Sequence, residues 1–322
     1  MAEKISKEIF STLGWTIVGP LNMDWECSTL QHQSPGGRGT HPSDVVFRYE
    51  DPYSNQTIFV NTDLKSYGKT SIKRSELIKT INSLAQDTDC TRRSRTWQER
   101  FVPAGIQYTT VGMLFIYNHD NQYENDFRDT LISIDSKSID IAPDLQLFVF
   151  GPEDVLYLLN LVYDMEHLKY QKIIPTNSEC RFFYPQLIRK RAHTQYSKTL
   201  TIDALTSPWQ IYTFDDTEQQ RPIKGRVVYA RSKGASADEF KYIFDYLFRF
   251  QLIDSDTRII FRFPYASREA PSIFNSAIES YVLGLPAALH IHSLLKKISF
   301  DPPNRMVNNF NAEAIGMEMN DD

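Results

Sequence analysis

Apolar residues recur along this chain with two different periods, and the switches between them outline its elements. Ile5, Ile9, Phe10 and Leu13 fall at helical spacing over residues 3–13, with Glu8 on a different side and Gly14 as the stop. A short apolar run follows at residues 15–18. Residues 44–49 and 57–65 read as strands, joined by residues 50–56, whose Pro52, Ser54 and Asn55 favour a turn. Over residues 71–85, Ile72, Leu77, Ile78, Ile81 and Leu84 make one broad apolar helix face. Residues 106–117 and 145–150 predict two more strands, and residues 152–168 a helix carrying Val155, Leu158, Leu159 and Val162 near one face. The alternation then resumes, with strands expected at 225–230 and 257–263 and helices at 237–252 and 272–283. Residues 33–40, with Pro35, Gly36, Gly37 and Gly39, predict a loop.

This order predicts an α/β protein: a mixed central sheet flanked by helices over residues 1–170, and a smaller C-terminal α/β region over 221–300. Residues 171–220 read as a basic connecting region, and residues 301–322, rich in Asn and acidic side chains, as a flexible tail. A chain of 322 residues is long enough for two domains, and its 20 Phe and 17 Tyr argue against extensive disorder. The net charge of -5 excludes a uniformly basic surface, while leaving room for a local nucleic-acid path. Cys27, Cys90 and Cys180 are widely separated, which predicts reduced thiols with no paired motif for structural zinc. His119, His167 and His193 form no readable metal cluster. With no apolar export segment and no run of membrane length, the expected location is the cytoplasm, away from any membrane.

The chemistry concentrates at two strand ends. Side chains alternate along a strand, so Asp63 and Lys65 share a face with Asn61 and Phe59, while Val60, Thr62 and Leu64 point oppositely. If residues 44–49 and 57–65 form an antiparallel hairpin, Asp44 lies where Asp63 and Lys65 emerge. Two carboxylates offer hard oxygen ligands to Mg2+ or Mn2+, with Asp44 able to bridge two ions and the Leu64 carbonyl adding an oxygen. Lys65 is open to two roles, positioning or deprotonating water and stabilising transition-state charge. The competing reading is an ordinary solvent-facing ion pair between Asp63 and Lys65.

The pattern of Asp44 with Asp63-Leu64-Lys65 resembles the PD-(D/E)xK nuclease superfamily, the restriction-endonuclease-like fold. Pro42-Ser43-Asp44 departs from the adjacent Pro-Asp form of that family, whereas Asp63-Leu64-Lys65 matches its second half directly. The resemblance implies an amino-terminal helix, a central mixed sheet and catalytic acids on paired core strands. It also implies a further helix-borne acid completing the metal or water shell; Glu8 matches that role and Glu26 is its rival. The two-part arrangement is similar to nuclease subunits of bacterial two-component antiphage defence systems, which implies a protein partner.

Three basic groups are candidates for phosphate contact. Lys69, Lys73 and Arg74 follow the hairpin, and Arg92, Arg93, Arg95 and Arg100 surround Trp97. Arg181, Arg189, Lys190, Arg191 and Lys198 fall in residues 181–200, which hold no acidic side chain, with Tyr184, His193 and Tyr196 as stacking surfaces. Arg38 in the Gly-rich loop could reach a phosphate and His41 could orient one, although a loop histidine is more often structural. The expected activity is metal-dependent hydrolysis of DNA phosphodiester bonds in antiviral defence. The alternatives are a catalytically silent nucleic-acid-binding or assembly protein and an RNA-directed nuclease. The C-terminal region is open to selecting DNA, binding a partner or forming a homo-oligomer surface.

Overall fold

The computed structural model describes residues 1–27, 29, 39–176, 180–185, 195–216, 223–283, 285, 288–304 and 307. The chain divides into two compact units, Met1–Leu159 together with Val307, and Asn160–Met306.

The first unit opens with α1 (Ala2–Thr12), which buries Ile5, Ile9 and Phe10. It ends as its sequence dictates. Gly14 adopts a left-handed backbone (φ 86), its N–H reaches Ser11 O at 3.1 Å, and Trp15 N–H reaches Phe10 O at 2.8 Å. The accompanying apolar contact is a stack of Phe10 on Trp15, with ring centroids 4.5 Å apart. Strands β1 (Thr16–Val18), β2 (Met23–Glu26), β3 (Thr40–Ser43), β4 (Val45–Glu50) and β5 (Thr57–Tyr67) follow, then α2 (Arg74–Thr91), α3 (Arg95–Phe101), β6 (Tyr108–Asn118), α4 (Phe127–Ile132), β7 (Leu147–Phe150) and α5 (Pro152–Tyr170), whose residues from Asn160 on belong to the second unit.

The main sheet runs β1-β4-β5-β6-β7. β4 pairs antiparallel with β1 and β5, whereas β5, β6 and β7 run parallel, so the sheet is mixed as the sequence predicts. The two faces of β5 do different work. Phe59 joins Trp25, Val46, Trp97 and Phe101 in one apolar cluster. Phe47 and Phe115 pack on the opposite face against Phe10 of α1. Gly112, in register with Asn61, is what lets α2 lie close: a Cβ there would stand 2.6 Å from Thr88 Oγ1 and 2.5 Å from Leu147 Cδ2. A separate two-stranded ribbon pairs β2 with β3.

α2 and α3 both differ from the sequence expectation. α2 starts at Arg74, after a 3-10 turn at Lys69–Ser71, and runs on to Thr91. The apolar periodicity fades near Ala85 because the last turns bury Asp87, Thr88, Asp89 and Thr91, polar side chains that period-based reading takes for surface. α3 is too short to announce itself by period; Ser94 caps it by accepting from Trp97 N–H at 3.3 Å.

The second unit contains β8 (Arg181–Phe183), β9 (Tyr196–Ser197), α6 (Ile202–Leu205), β10 (Trp209–Asp216), β11 (Ile223–Ala230), α7 (Ala237–Arg249), β12 (Thr257–Arg262), α8 (Ala270–Val282), α9 (Ala288–Leu295) and β13 (Ser299–Phe300). Its sheet runs β13-β12-β11-β10-β8-β9. The stretch expected to be a connector thus supplies β8, β9 and β10, strands whose partners lie outside the stretch or across its loops. An aromatic core built on Phe240, Phe244, Phe261, Phe263 and Phe274 covers one face of this sheet. Among the described residues, no helix is long and apolar enough to cross a membrane.

Candidate active site

β5 outruns β4 at one end of the hairpin, and the site lies there. Val46 pairs with Asn61 and Val45 with Thr62, so carrying the register one step further sets Asp44 opposite Asp63. Beyond that point β5 has lost its β4 partner, and the Leu64 N–H would be left unpaired. The Asp44 carboxylate takes it, Oδ2 accepting at 2.7 Å, while Asp44 O accepts from Asn22 N–H at 2.8 Å. Asp44 is therefore fixed by the backbone on both sides.

Asp63 Oδ1 lies 2.6 Å from Lys65 Nζ, with the carboxylate 19% exposed and the lysine 33%. Burial pushes the Asp63 carboxyl up to about 6, against the pull of the Lys65 ammonium, and the carboxylates of Asp44 and Asp87 push the same way as burial. Burial alone would lower the Lys65 ammonium, but Asp63 and Asp44 together hold it above its ordinary value. The site thus carries more negative charge than its one lysine offsets. Below it, Asn61 is buried and its Oδ1 accepts from Ser43 Oγ at 2.6 Å, which in turn accepts from Trp25 Nε1 at 3.0 Å. That chain ties the ribbon to the floor of the site.

A cleft of about 350 Å³ opens beside Asp44, lined by Glu3, Asn22, Asp44, Leu64 and Ser66 among others; Asp63 and Lys65 do not line it. The carboxylate that α1 brings to it is Glu3, whose Oε1 accepts from Asn22 Nδ2 at 2.9 Å. Glu8 is half-buried, about 7–8 Å further along the helix axis. Glu26 is exposed at the end of β2. Nothing in the one-dimensional pattern separates Glu3 from Glu8; only the approach of Asn22 selects between them.

Of the basic groups, Lys69, Lys73 and Arg74 are exposed between β5 and α2, and Lys69 N–H donates to Asp120 Oδ2 at 2.8 Å. His119 Nδ1 lies 3.3 Å from Ser66 Oγ on the same rim. Arg93, just past the end of α2, pairs with Asp89 at 3.3 Å, and Arg95 pairs along α3 with Glu99 at 2.7 Å. Arg38, Arg189, Lys190 and Arg191 lie outside the described residues, as does His193.

Residues 1–154 match the family model described as the GAPS4 protein PD-(D/E)XK nuclease domain. Residues 1–154 belong to the PD-(D/E)XK nuclease superfamily. No curated protein and no solved structure matches it. The matched residues end close to Leu159, where the N-terminal stretch of the first compact unit ends.

The nuclease domain also holds a donor group that sequence reading missed. Cys27, His41 and Cys90 are all buried, and their ligand atoms lie within 4.8 Å of one another, a candidate metal-binding group. The cysteines are free thiols, as expected, but their lack of a paired motif hid a proximity: Cys27 and Cys90 stand 63 residues apart in sequence and 3.8 Å apart in space. His41, expected in a loop, sits on β3 with Nδ1 2.5 Å from Asp87 Oδ1. Burial pulls its imidazolium down, but Asp87 and then Cys90 outweigh that and push it up to about 10.

Proposed function

We propose that this chain is a Mg2+-dependent DNA endonuclease acting in antiviral defence alongside a protein partner. The observation that carries the reading is Asp44 set opposite Asp63 beside Lys65, on a domain that matches a nuclease family. The residues fit a hard dication. The Asp44 carboxylate is a charged neighbour of Asp63, and Asp63 is held at about 6 by burial and neighbouring negative charge, a strain that a bound cation relieves. Asp44 and Asp63 would hold the ion, with the Leu64 carbonyl as a further oxygen and Glu3 or Glu8 as the helix-borne acid. When bound, Mg2+ supplies Lewis-acid polarisation of the phosphate and an acidified water. Lys65, kept protonated by Asp63 and Asp44, is a poor base; its role is to hold the attacking water and offset charge on the phosphoryl oxygens. Lys69, Lys73 and Arg74 would meet the DNA backbone, and Mn2+ would substitute for Mg2+.

The test incubates full-length protein with supercoiled, linear and single-stranded DNA and with RNA, with and without Mg2+ and copurifying proteins. Mg2+-dependent DNA scission is expected. Binding without scission under every condition would overturn the assignment, and cleavage of RNA alone would reassign the substrate. Lys65→Met is expected to lower kcat by about 10²–10³-fold with KM little changed, because it removes charge needed mainly in the transition state. Steady-state kinetics separates the two constants.

Metal affinity should follow the Asp63 carboxyl. Protonation of Asp63 competes with the ion, so affinity is level above pH about 7 and falls as pH drops through about 6, approaching about tenfold per unit. Calorimetric Mg2+ titrations across this range read the slope. Lys65→Met removes the cation that lowers the Asp63 carboxyl, so it should move the fall to higher pH.

A further inference from the structure

We propose that Cys27, His41 and Cys90 bind a zinc ion that staples the β2–β3 ribbon to α2, at a site separate from the Asp44–Asp63 acids. Three different elements bring the donors together: Cys27 follows β2, His41 is on β3, and Cys90 is in the last turn of α2. The spacing of the sulfurs suits the ion. Two thiolates held tetrahedrally at about 2.3 Å from zinc stand about 3.8 Å apart, and Cys27 Sγ and Cys90 Sγ are 3.8 Å apart. A disulfide would bring them to about 2.05 Å, so these are two separate thiols.

The histidine is oriented for the same task. Asp87 Oδ1 engages Nδ1, which leaves Nε2 as the ring's remaining donor, and Cys90 is a further side-chain neighbour of the imidazole. A carboxylate on one imidazole nitrogen and a metal on the other is the usual support for a ligating histidine, because it fixes the tautomer and strengthens the donor. Trp25 lies against the ring, with centroids 4.9 Å apart. Val46, Phe59, Trp97 and Phe101 complete an apolar wall that excludes water. Thr29 sits at the remaining side, its hydroxyl 3.4 Å from Cys90 Sγ and its carbonyl 3.3 Å from Cys27 Sγ. Two sulfurs and an imidazole are a soft set that selects zinc over magnesium. The ion would fix the strand that leads directly into Asp44, which makes the ligands positioning residues for the hydrolytic site.

The test measures metal without nucleic acid, so its outcome is independent of the nuclease reading. Full-length protein purified without chelator is analysed for elements, then stripped and titrated with Co2+. Stoichiometric zinc is expected, with a thiolate-to-cobalt charge-transfer band in the near ultraviolet that zinc displaces. His41→Ala should lose the band. Asp87→Asn should keep it while weakening zinc affinity about 10–100-fold. Asp44→Asn should leave zinc content unchanged. The wild-type cobalt spectrum needs no variant to fold. No zinc, no cobalt band and two freely titrating thiols would overturn the proposal, as would zinc that disappears in Asp44→Asn.

Discussion

Asp63→Asn is expected to reduce cleavage by at least about 10³-fold while leaving the metal-free protein at pH 8 as stable as wild type or more so. The two halves of this result have one cause. Asp63 carries a carboxyl pushed up to about 6 by burial and by the charges of Asp44 and Asp87. Its folded value lies above its unfolded one, so its contribution to stability is most favourable at low pH and is lost as pH rises through about 6. At pH 8 the charge is fully present and costs on the order of 1–3 kcal/mol. Asparagine keeps the shape and removes the charge, along with an anionic metal ligand. Added Mg2+ should then stabilise the wild type and not the variant. Thermal unfolding at pH 8, with and without Mg2+, and a cleavage assay check both halves. A variant that is inactive because it unfolds would remove the link between charge and function.

Arg262→Met is expected to give the largest loss of stability, confined to the second unit. The Arg262 and Asp164 side chains are 4% and 3% exposed. Arg262 engages Asp164 through two donors, Nε at 2.8 Å and Nη2, while Nη1 reaches Asp301 Oδ2 at 2.6 Å. Tyr229, whose hydroxyl burial and the neighbouring Asp164 hold protonated, donates to Asp164 Oδ2 at 3.0 Å. Removing the guanidinium leaves Asp164 buried with a single tyrosine donor, at a cost of about 3–5 kcal/mol. For a unit of this size that lowers Tm by roughly 10 °C. Replacing Asp164 by Leu in the same chain should recover part of the loss, because an apolar pair carries no desolvation penalty. Differential scanning calorimetry of the single and double variants decides. A second-unit transition unmoved by Arg262→Met would mean the network is not what holds it.

The hairpin was legible because everything that builds it is local. Alternation over residues 44–49 and 57–65 fixes the faces, the turn fixes the pairing, and the two together set Asp44 against Asp63. The mixed sheet followed from the order of the periods. The remainder is long-range. Cys27, His41 and Cys90 meet because β2, β3 and α2 converge, and no spacing rule anticipates three single donors on three elements. α2 hid its last turns because their buried residues are polar and find partners elsewhere, as Asp87 does in His41. The acid beside the cleft is Glu3 because Asn22 reaches it across an intervening strand and turn.

The register of the hairpin also governs which changes of length this site tolerates. Residues in the turn between Glu50 and Thr57 contribute nothing to the pairing of Val45 with Thr62, so insertions there lengthen a surface loop and leave the acids opposed. A single residue lost between Thr57 and Asp63 is different. It reverses the side on which every later residue of β5 emerges, turning Asp63 and Lys65 away while Leu64 takes their face. Within the strand only paired insertions or deletions preserve the orientation of the site. Related chains should therefore vary freely in loop length here and keep an even count of changes in the strand that follows.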